Sequence, residues 1–221
     1  MTTTYSPDDV AAFEHAAWSR CAPGYRDGFS VLTDDALEPL LDAVHAGEGT
    51  RLLDVGTGPG TAAAAAIGRG ATVAGIDFSD AMLTEARRTV PEADLRTASA
   101  DALPFGDGAL DAVIANSVLH HLATPAEALR EAHRVLRPGG RIACTVWDDP
   151  STLEAFGLFF AAVEQHAGEA ELPHGPLFGV TDRNILTSLF TAAGFGQADV
   201  TTLPTSWRMT SIESLLRSFA T

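Results

Sequence analysis

Cysteine is nearly absent from this chain. Cys21 and Cys144 are the only two, too few for a disulfide framework and without the spacing of a metal site. They read as free thiols in a reducing compartment. No apolar run approaches the roughly 20 residues that a membrane-spanning helix needs; the alanine stretch 62–66 is short and bounded by glycines. The N-terminus, Met1 to Asp9, is polar and acidic and lacks the apolar centre of a signal peptide. Positive charge is scarce: 14 Lys and Arg stand against 29 Asp and Glu, a net charge of −15. Phosphate backbones and anionic membrane surfaces repel such a chain, so the reading expects no nucleic-acid partner and no membrane. A cytoplasmic, soluble protein is the expectation. Apolar residues at 46% and charged residues at 19% give the balance of a folded domain, and 221 residues can bury a core without cross-links.

Residues 6–20 read as a helix, with Ser6 as cap, Pro7 at the first position and Asp8 and Asp9 at the positive end of its dipole. Val10, Phe13, Ala17, Trp18 and Cys21 form its apolar face, and Ala22-Pro23-Gly24 is expected to end it. A second helix is expected from Thr33 to His45. Short apolar runs then alternate with helical segments. Strands are expected at 51–55, 71–76, 94–99, 110–115 and 141–147, and helices at 60–68, 79–89 and 124–136. The last of these opens on the capping box Thr124-Pro125-Ala126-Glu127 and stops at Pro138-Gly139-Gly140. This alternation predicts an α/β doubly wound, mostly parallel sheet. After Trp147 the pattern changes: a capping box at Ser151 opens an apolar helix to His166, and a Gly/Pro-rich loop spans 168–180. Thr181 is expected to cap a helix to Ala193, Gln197 to Leu203 to form a sixth strand, and Thr210 to open a last helix. The division expected is an N-terminal helical lid, 1–48, and a sheet domain, 49–221, carrying 148–180 as a substrate-side helical insertion after the fifth strand.

Ligands of open parallel sheets bind beyond the carboxyl ends of the strands. The first such turn reads Asp54-Val55-Gly56-Thr57-Gly58-Pro59-Gly60, where glycines permit tight turning and close backbone approach, and the next helix presents its positive end. Alone, the turn is a weak signal. The second strand ends in Asp77, an acid placed to accept from ribose hydroxyls. Both features suit a dinucleotide or S-adenosylmethionine. The glycines fall as G-x-G-x-G, whereas the dinucleotide fingerprint is G-x-G-x-x-G.

Leu52 to Gly60 resembles the first motif of class I S-adenosylmethionine-dependent methyltransferases. Gly75 to Leu83, Ala98 to Phe105, Leu110 to Asn116 and Leu136 to Ile142 resemble the later motifs in order, and the subgroup resembled is that of small-molecule methyltransferases related to quinone biosynthesis. The resemblance implies a Rossmann-like fold and S-adenosyl-L-methionine as cofactor. It implies that Gly56, Thr57, Gly58 and Gly60 hold the methionine end, with Asp54 near the ammonium and Asp77 on the ribose. Phe78 and Met82 would pack on the adenine, Asp101 and the Ala102 N–H would contact its edge, and Asn116 would lie beside the methionine moiety. Tyr25, with Trp18, resembles the part of the lid that closes over the cofactor. Plainer readings stand beside these: Phe78, Met82 and Trp18 as ordinary core, Asp101 as a loop cap.

The sulfonium already activates its methyl group, so the protein's task is to position an acceptor and, for a hydroxyl, to supply a base. His120 and His121, after the fourth strand, are the candidates, with local structure as the competing role; His174 is a weaker one. His15, His45, His133 and His166 read as surface or packing residues. Asp148 and Asp149 precede a capped helix and suit its dipole, so no metal site is expected. Phe156, Leu158, Phe159, Phe160, Leu177 and Phe178 suggest a small apolar or aromatic acceptor. A cyclase or decarboxylase on the same fold, and a non-catalytic interaction partner, remain open alternatives. The oligomeric state has no signature. Family members finish with an antiparallel seventh strand; this chain ends at Thr221 inside its last helix. The reading therefore expects that strand to be missing, or replaced by Ser206 to Met209.

Overall fold

A computed structural model describes residues 5–25, 30–149 and 175–206, with residues 152, 157, 158, 161, 165, 173 and 211. The helix expected to His166, the candidate base His174, Phe156, Phe159, Phe160, the residues 207–209 of the substitute strand and the last helix lie outside the described residues, as do the side chains of Leu177 and Phe178.

Three helices precede the sheet: α1 (Pro7–Tyr25), α2 (Ser30–Asp34) and α3 (Leu37–Ala43). The start of α1 is fixed by reciprocal bonds, the Asp9 N–H donating to Ser6 Oγ at 3.2 Å and the Ser6 N–H to Asp9 Oδ2 at 3.1 Å. The expected stop at Ala22-Pro23-Gly24 is not observed, and the helix continues through Pro23 to Tyr25. A proline in the last turn removes one N–H from the ladder, and the Trp18–Tyr25 ring contact (centroids 5.3 Å apart) spans that turn from outside. The single helix expected over 33–45 is two short ones.

The alternating region follows as β1 (Arg51–Val55), α4 (Thr61–Gly68), β2 (Thr72–Asp77), α5 (Asp80–Thr89), β3 (Asp94–Thr97), β4 (Leu110–Asn116), α6 (Pro125–Val135), β5 (Leu136–Thr145) and α7 (Arg183–Ala192). All strand pairs are parallel, in the order β3-β2-β1-β4-β5. The order reverses between β1 and β4, which opens a crevice at their carboxyl ends. Each strand alternates between two covered faces. Leu52, Val73, Ala112 and Ile114 pack on α3 and α4. Leu53, Val55, Ile76 and Val113 pack with Ala128, Ala132 and Val135 of α6. Burying each Leu, Ile or Val contributes about 1.5–3 kcal/mol, and this burial is the main force holding helices to sheet.

Three local expectations are corrected. The Pro138-Gly139-Gly140 turn does not precede β5 but bulges within it: Leu110 pairs Leu136, then Ala112 pairs Arg141. Asp182, not Thr181, caps α7, accepting from the Asn184 and Ile185 N–H groups. No sixth strand forms over 197–203. Thr201 to Ser206 are exposed, and the Val200 carbonyl accepts from the Arg183 guanidinium rather than from a strand ladder. No described helix is long and apolar enough to cross a membrane.

Gly75 packs the middle of β2 under the glycine turn. A Cβ there would lie 2.8 Å from Leu95 Cδ2 and 3.0 Å from Thr57 Oγ1. Overpacking of this kind costs about 1–3 kcal/mol. Urea unfolding of Gly75→Ala should show a loss of that size, and unchanged stability would mean that β2 and β3 separate more easily than the packing implies.

Candidate functional site

The turn between β1 and α4 is built by a sequence of backbone constraints. Gly56, Gly58 and Gly60 have φ of +65°, +53° and +86°, a region closed to most side chains. The Thr57 N–H donates to the Ile76 carbonyl at 2.8 Å, tying the turn to β2. The Thr57 hydroxyl donates to Asp54 Oδ2 at 2.8 Å. Asp77, at the end of β2, closes the arrangement: its Oδ2 accepts from the Gly58 N–H and its Oδ1 from the Ser79 N–H, both at 2.9 Å. Ser79 in turn caps α5 through the Met82 N–H.

These residues form one wall of a cleft over the switch point, with about 1160 Å³ of empty space including its open mouth. Tyr25, Asp54, Gly56, Thr57, Gly58, Asp77, Phe78, Met82, Asp101, Asn116 and His121 all line it. A Cβ on Gly58 would meet nothing closer than the Gly56 carbonyl at 4.0 Å, so the turn presents bare backbone. Asp101 accepts from the Thr124 hydroxyl at 3.1 Å, and Thr124, expected to cap α6 with its side chain, makes no such bond.

Three expected residues are not brought to the wall. Gly60 caps α4 facing α5, where a Cβ would crowd Val90 and Ala86. The Ala102 N–H, expected to face a ligand, donates to the Ser99 carbonyl at 3.2 Å. His120 is fully buried, and neither ring nitrogen has a hydrogen-bond partner among the described residues. Burial, then its neighbour His121, hold its pKa well below the usual value, so it stays neutral.

The site is strongly acidic at its base. Asp54 and Asp77 are 1% and 5% exposed. Burial pushes the Asp54 carboxyl up to about 7, opposed by the Thr57 hydroxyl and reinforced by the Asp77 charge. Burial pushes Asp77 up to about 6, against the Ser79 and Gly58 N–H donors and nearby His15. Two buried acids that pair with no arginine or lysine among the described residues form a site complementary to a positively charged ligand that also offers hydroxyl donors. S-Adenosylmethionine, with its ammonium, sulfonium and ribose, fits that donor set.

On the far wall, Asn116 is fastened: Thr145 Oγ1 donates to its Oδ1 at 2.7 Å, and its Nδ2 lies 3.4 Å from the Thr33 carbonyl. Ser117 follows at φ +58°, an uncommon conformation for a non-glycine residue, and its N–H donates to Thr145 Oγ1 at 2.8 Å. Sequence reading missed Thr33, Ser117 and Glu14, all of which line the cleft. Glu14 had a signal: it interrupts the apolar face of α1 between Val10 and Trp18.

The fold and the cleft agree with what the chain resembles. Residues 53–144 match the profile of a methyltransferase domain. A demethylmenaquinone methyltransferase of Clavibacter sepedonicus is 33% identical over 76% of this chain and 72% of that relative. One of Renibacterium salmoninarum is 35% identical over 69% of this chain and 63% of its own length. The 1,6-didemethyltoxoflavin-N1-methyltransferase of Burkholderia thailandensis, solved with its substrate and S-adenosylhomocysteine, is 26% identical, with a TM-score of 0.54 over 67% of this chain and 68% of that one. The chain spans only 38%, 63% and 46% of the length of three curated relatives.

The acids at the cleft base make folding pH-dependent in a stated direction. Each keeps its proton in the folded state at a pH where the unfolded chain has released it. Their contribution is therefore most favourable below about pH 4 and declines as pH rises towards 7. The ligand-free thermal midpoint should fall from pH 5 to pH 7.5, and Asp54→Asn should flatten the fall. Parallel curves for the two proteins would show that Asp54 is not the buried acid responsible.

Proposed function

The chain belongs to the class I S-adenosylmethionine-dependent methyltransferases related to menaquinone biosynthesis, and we propose that it transfers the methyl group of S-adenosyl-L-methionine to a small apolar or aromatic metabolite. The observation that carries this reading is the cleft at the switch point, walled by bare glycine backbone and two buried carboxylates. A cation held there relieves the desolvation of Asp54 and Asp77, which a neutral ligand does not.

In this reading Gly56, Thr57 and Gly58 take the methionine end and Asp54 sits near its ammonium. Asp77 accepts from the ribose hydroxyls while its N–H partners at Gly58 and Ser79 keep it oriented. Phe78 and Met82 flank the adenine, Asp101 accepts from its amino group with Thr124 fixing the carboxylate, and Asn116 lies beside the methionine moiety. Tyr25 and Trp18 of α1 cover the cleft. The bound cofactor supplies a methyl group activated by the sulfonium. What the chain adds is alignment of the acceptor, an effect worth roughly 7–11 kcal/mol in favourable cases. It also adds a proton acceptor, and of the two expected histidines His121 takes that role because it alone lines the cleft. The quinone-related relatives favour an aromatic hydroxylated acceptor.

Calorimetry at pH 7.5 should detect binding of S-adenosylmethionine. Asp77→Ala should weaken it at least tenfold, the loss of charged hydrogen bonds worth about 1.5–3 kcal/mol. Unchanged affinity in Asp77→Ala would remove the ribose assignment, and no binding by the wild type would sink the reading. With methyl-labelled cofactor and a panel of naphthoquinols, phenols and polyketide-like hydroxyaromatics, the product should gain the mass of one methyl group. A product of any other mass points to a cyclase or decarboxylase.

A further inference from the structure

Glu14 has no part in the binding scheme above, yet it is 5% exposed and lines the same cleft. Its Oε2 accepts from Trp18 Nε1–H at 2.9 Å and lies 3.2 Å from His121 Nδ1. Its Oε1 accepts from the Gly175 N–H at 3.2 Å. One carboxylate thus joins α1, the turn after β4 and Gly175. Among the described residues His121 Nδ1 has no aligned hydrogen-bond partner, and the pair becomes an ion pair only when the ring is protonated. Among the ion pairs of the described residues, His121 is the only group that can give Glu14 a cation.

A buried carboxylate that faces no arginine among the described residues is costly unless a neighbour becomes positive. A glutamine has a single acceptor oxygen and could satisfy Gly175 or Trp18, not both. A carboxylate accepts from both and in addition stabilises a protonated His121. The backbone around the histidine is closely packed: a Cβ on Gly175 would lie 2.6 Å from the His121 carbonyl carbon and 2.7 Å from the His120 oxygen, so Gly175 packs directly on the turn.

Resting on the reading of His121 as proton acceptor, we propose that Glu14 is its positioning residue, turning Nδ1 towards α1 and compensating the imidazolium that forms during transfer. The acceptor's O–H bond breaks and its proton goes to the ring nitrogen that does not face Glu14. The oxygen's electron pair forms the new bond to the methyl carbon, and the pair of the S–CH3 bond leaves with the sulfur. The positive charge lost at sulfur reappears on the ring, beside the Glu14 carboxylate.

The charge state of Glu14 agrees. Burial alone would push its carboxyl up; His121, the Gly175 N–H and the Trp18 indole N–H outweigh it and hold the carboxyl below its usual range. Two titratable neighbours of the pair among the described residues, His120 and Cys21, favour their uncharged forms. His120, with its ring centroid 4.4 Å from that of His121, is kept neutral by burial and by His121. Cys21, further along α1, has its thiol pushed up to about 11, chiefly by burial.

The test separates orientation, charge and cofactor binding. Nitrogen-15 spectra of the ligand-free protein at pH 7.5 should show His121 carrying its proton on Nδ1, and Glu14→Ala should abolish that preference. With labelled S-adenosylmethionine and 1,4-naphthalenediol as the probe acceptor, Glu14→Gln should slow transfer about tenfold and displace the acid limb of the pH–rate profile to lower pH. Added to His121→Ala, Glu14→Gln should slow transfer no further. A His121 tautomer indifferent to Glu14→Ala, or rate losses that multiply in the double variant, would overturn the proposal. Calorimetric affinity for S-adenosylmethionine should be within threefold of wild type in Glu14→Gln. Absent binding by the wild type would instead mark failure of the cofactor reading, which the ligand-free spectra do not depend on.

Discussion

Two hydrogen bonds to one buried carboxylate organise this molecule. Asp77 accepts from Gly58 in the turn after β1 and from Ser79 at the head of α5. It therefore locks two βα junctions to each other at the point where the strand order reverses. The parallel ladder of β1 and β2 delivers Asp77 beside the turn, because Val55 pairs Ile76 and the next residue, Asp77, reaches past the end of β1 while still paired with Thr97 of β3. Small residues then finish the job: Gly75 leaves room for Thr57, and Thr57 holds Asp54. The cleft is a by-product of this packing. Remove the carboxylate and the backbone donors of the turn lose the partner that aims them.

The same economy explains why the acids are both functional and costly. Natural domains carry net stabilities of only about 5–15 kcal/mol, so two buried carboxyls without a cation are a noticeable burden on the empty protein. The core on both faces of the sheet, with Leu52, Leu53, Val113 and Ile114 essentially fully buried, offsets it. Elsewhere carboxylates meet arginines at the surface, as Asp111 does with Arg51 and Arg137. Asp54 and Asp77 have no such partner among the described residues. Acids that are left unpaired in the interior while others are paired outside mark where a ligand's charge belongs.

Most of the sheet was legible in the sequence because its determinants are local. Short apolar runs and glycines at defined spacing each act within a few residues, and β1, β2, β4, α4 and α5 lie where those signals put them. The cofactor-side residues were legible only through resemblance to known motifs; the G-x-G-x-G turn alone does not distinguish ligands. What failed was non-local. The alternation over 197–203 looked like a strand, but a strand needs a neighbour, and none is paired there. Ala102 and Thr124 had hydrogen-bonding roles that depend on turns rather than on type. In α1 the apolar stripe misled, because that helix lies along a cleft instead of a core, and the residue that matters on its inner face is Glu14.

The placement of α1 has a further consequence. Its inner face carries Ala11, Glu14 and Trp18 onto the cleft, and Ser19 meets Ser79 across it at 3.0 Å. The side of the cleft formed by α1 is therefore fastened through polar contacts, Glu14 with Gly175 and Ser19 with Ser79. Each such contact is worth only about 0.5–1.5 kcal/mol net, because water can replace either partner.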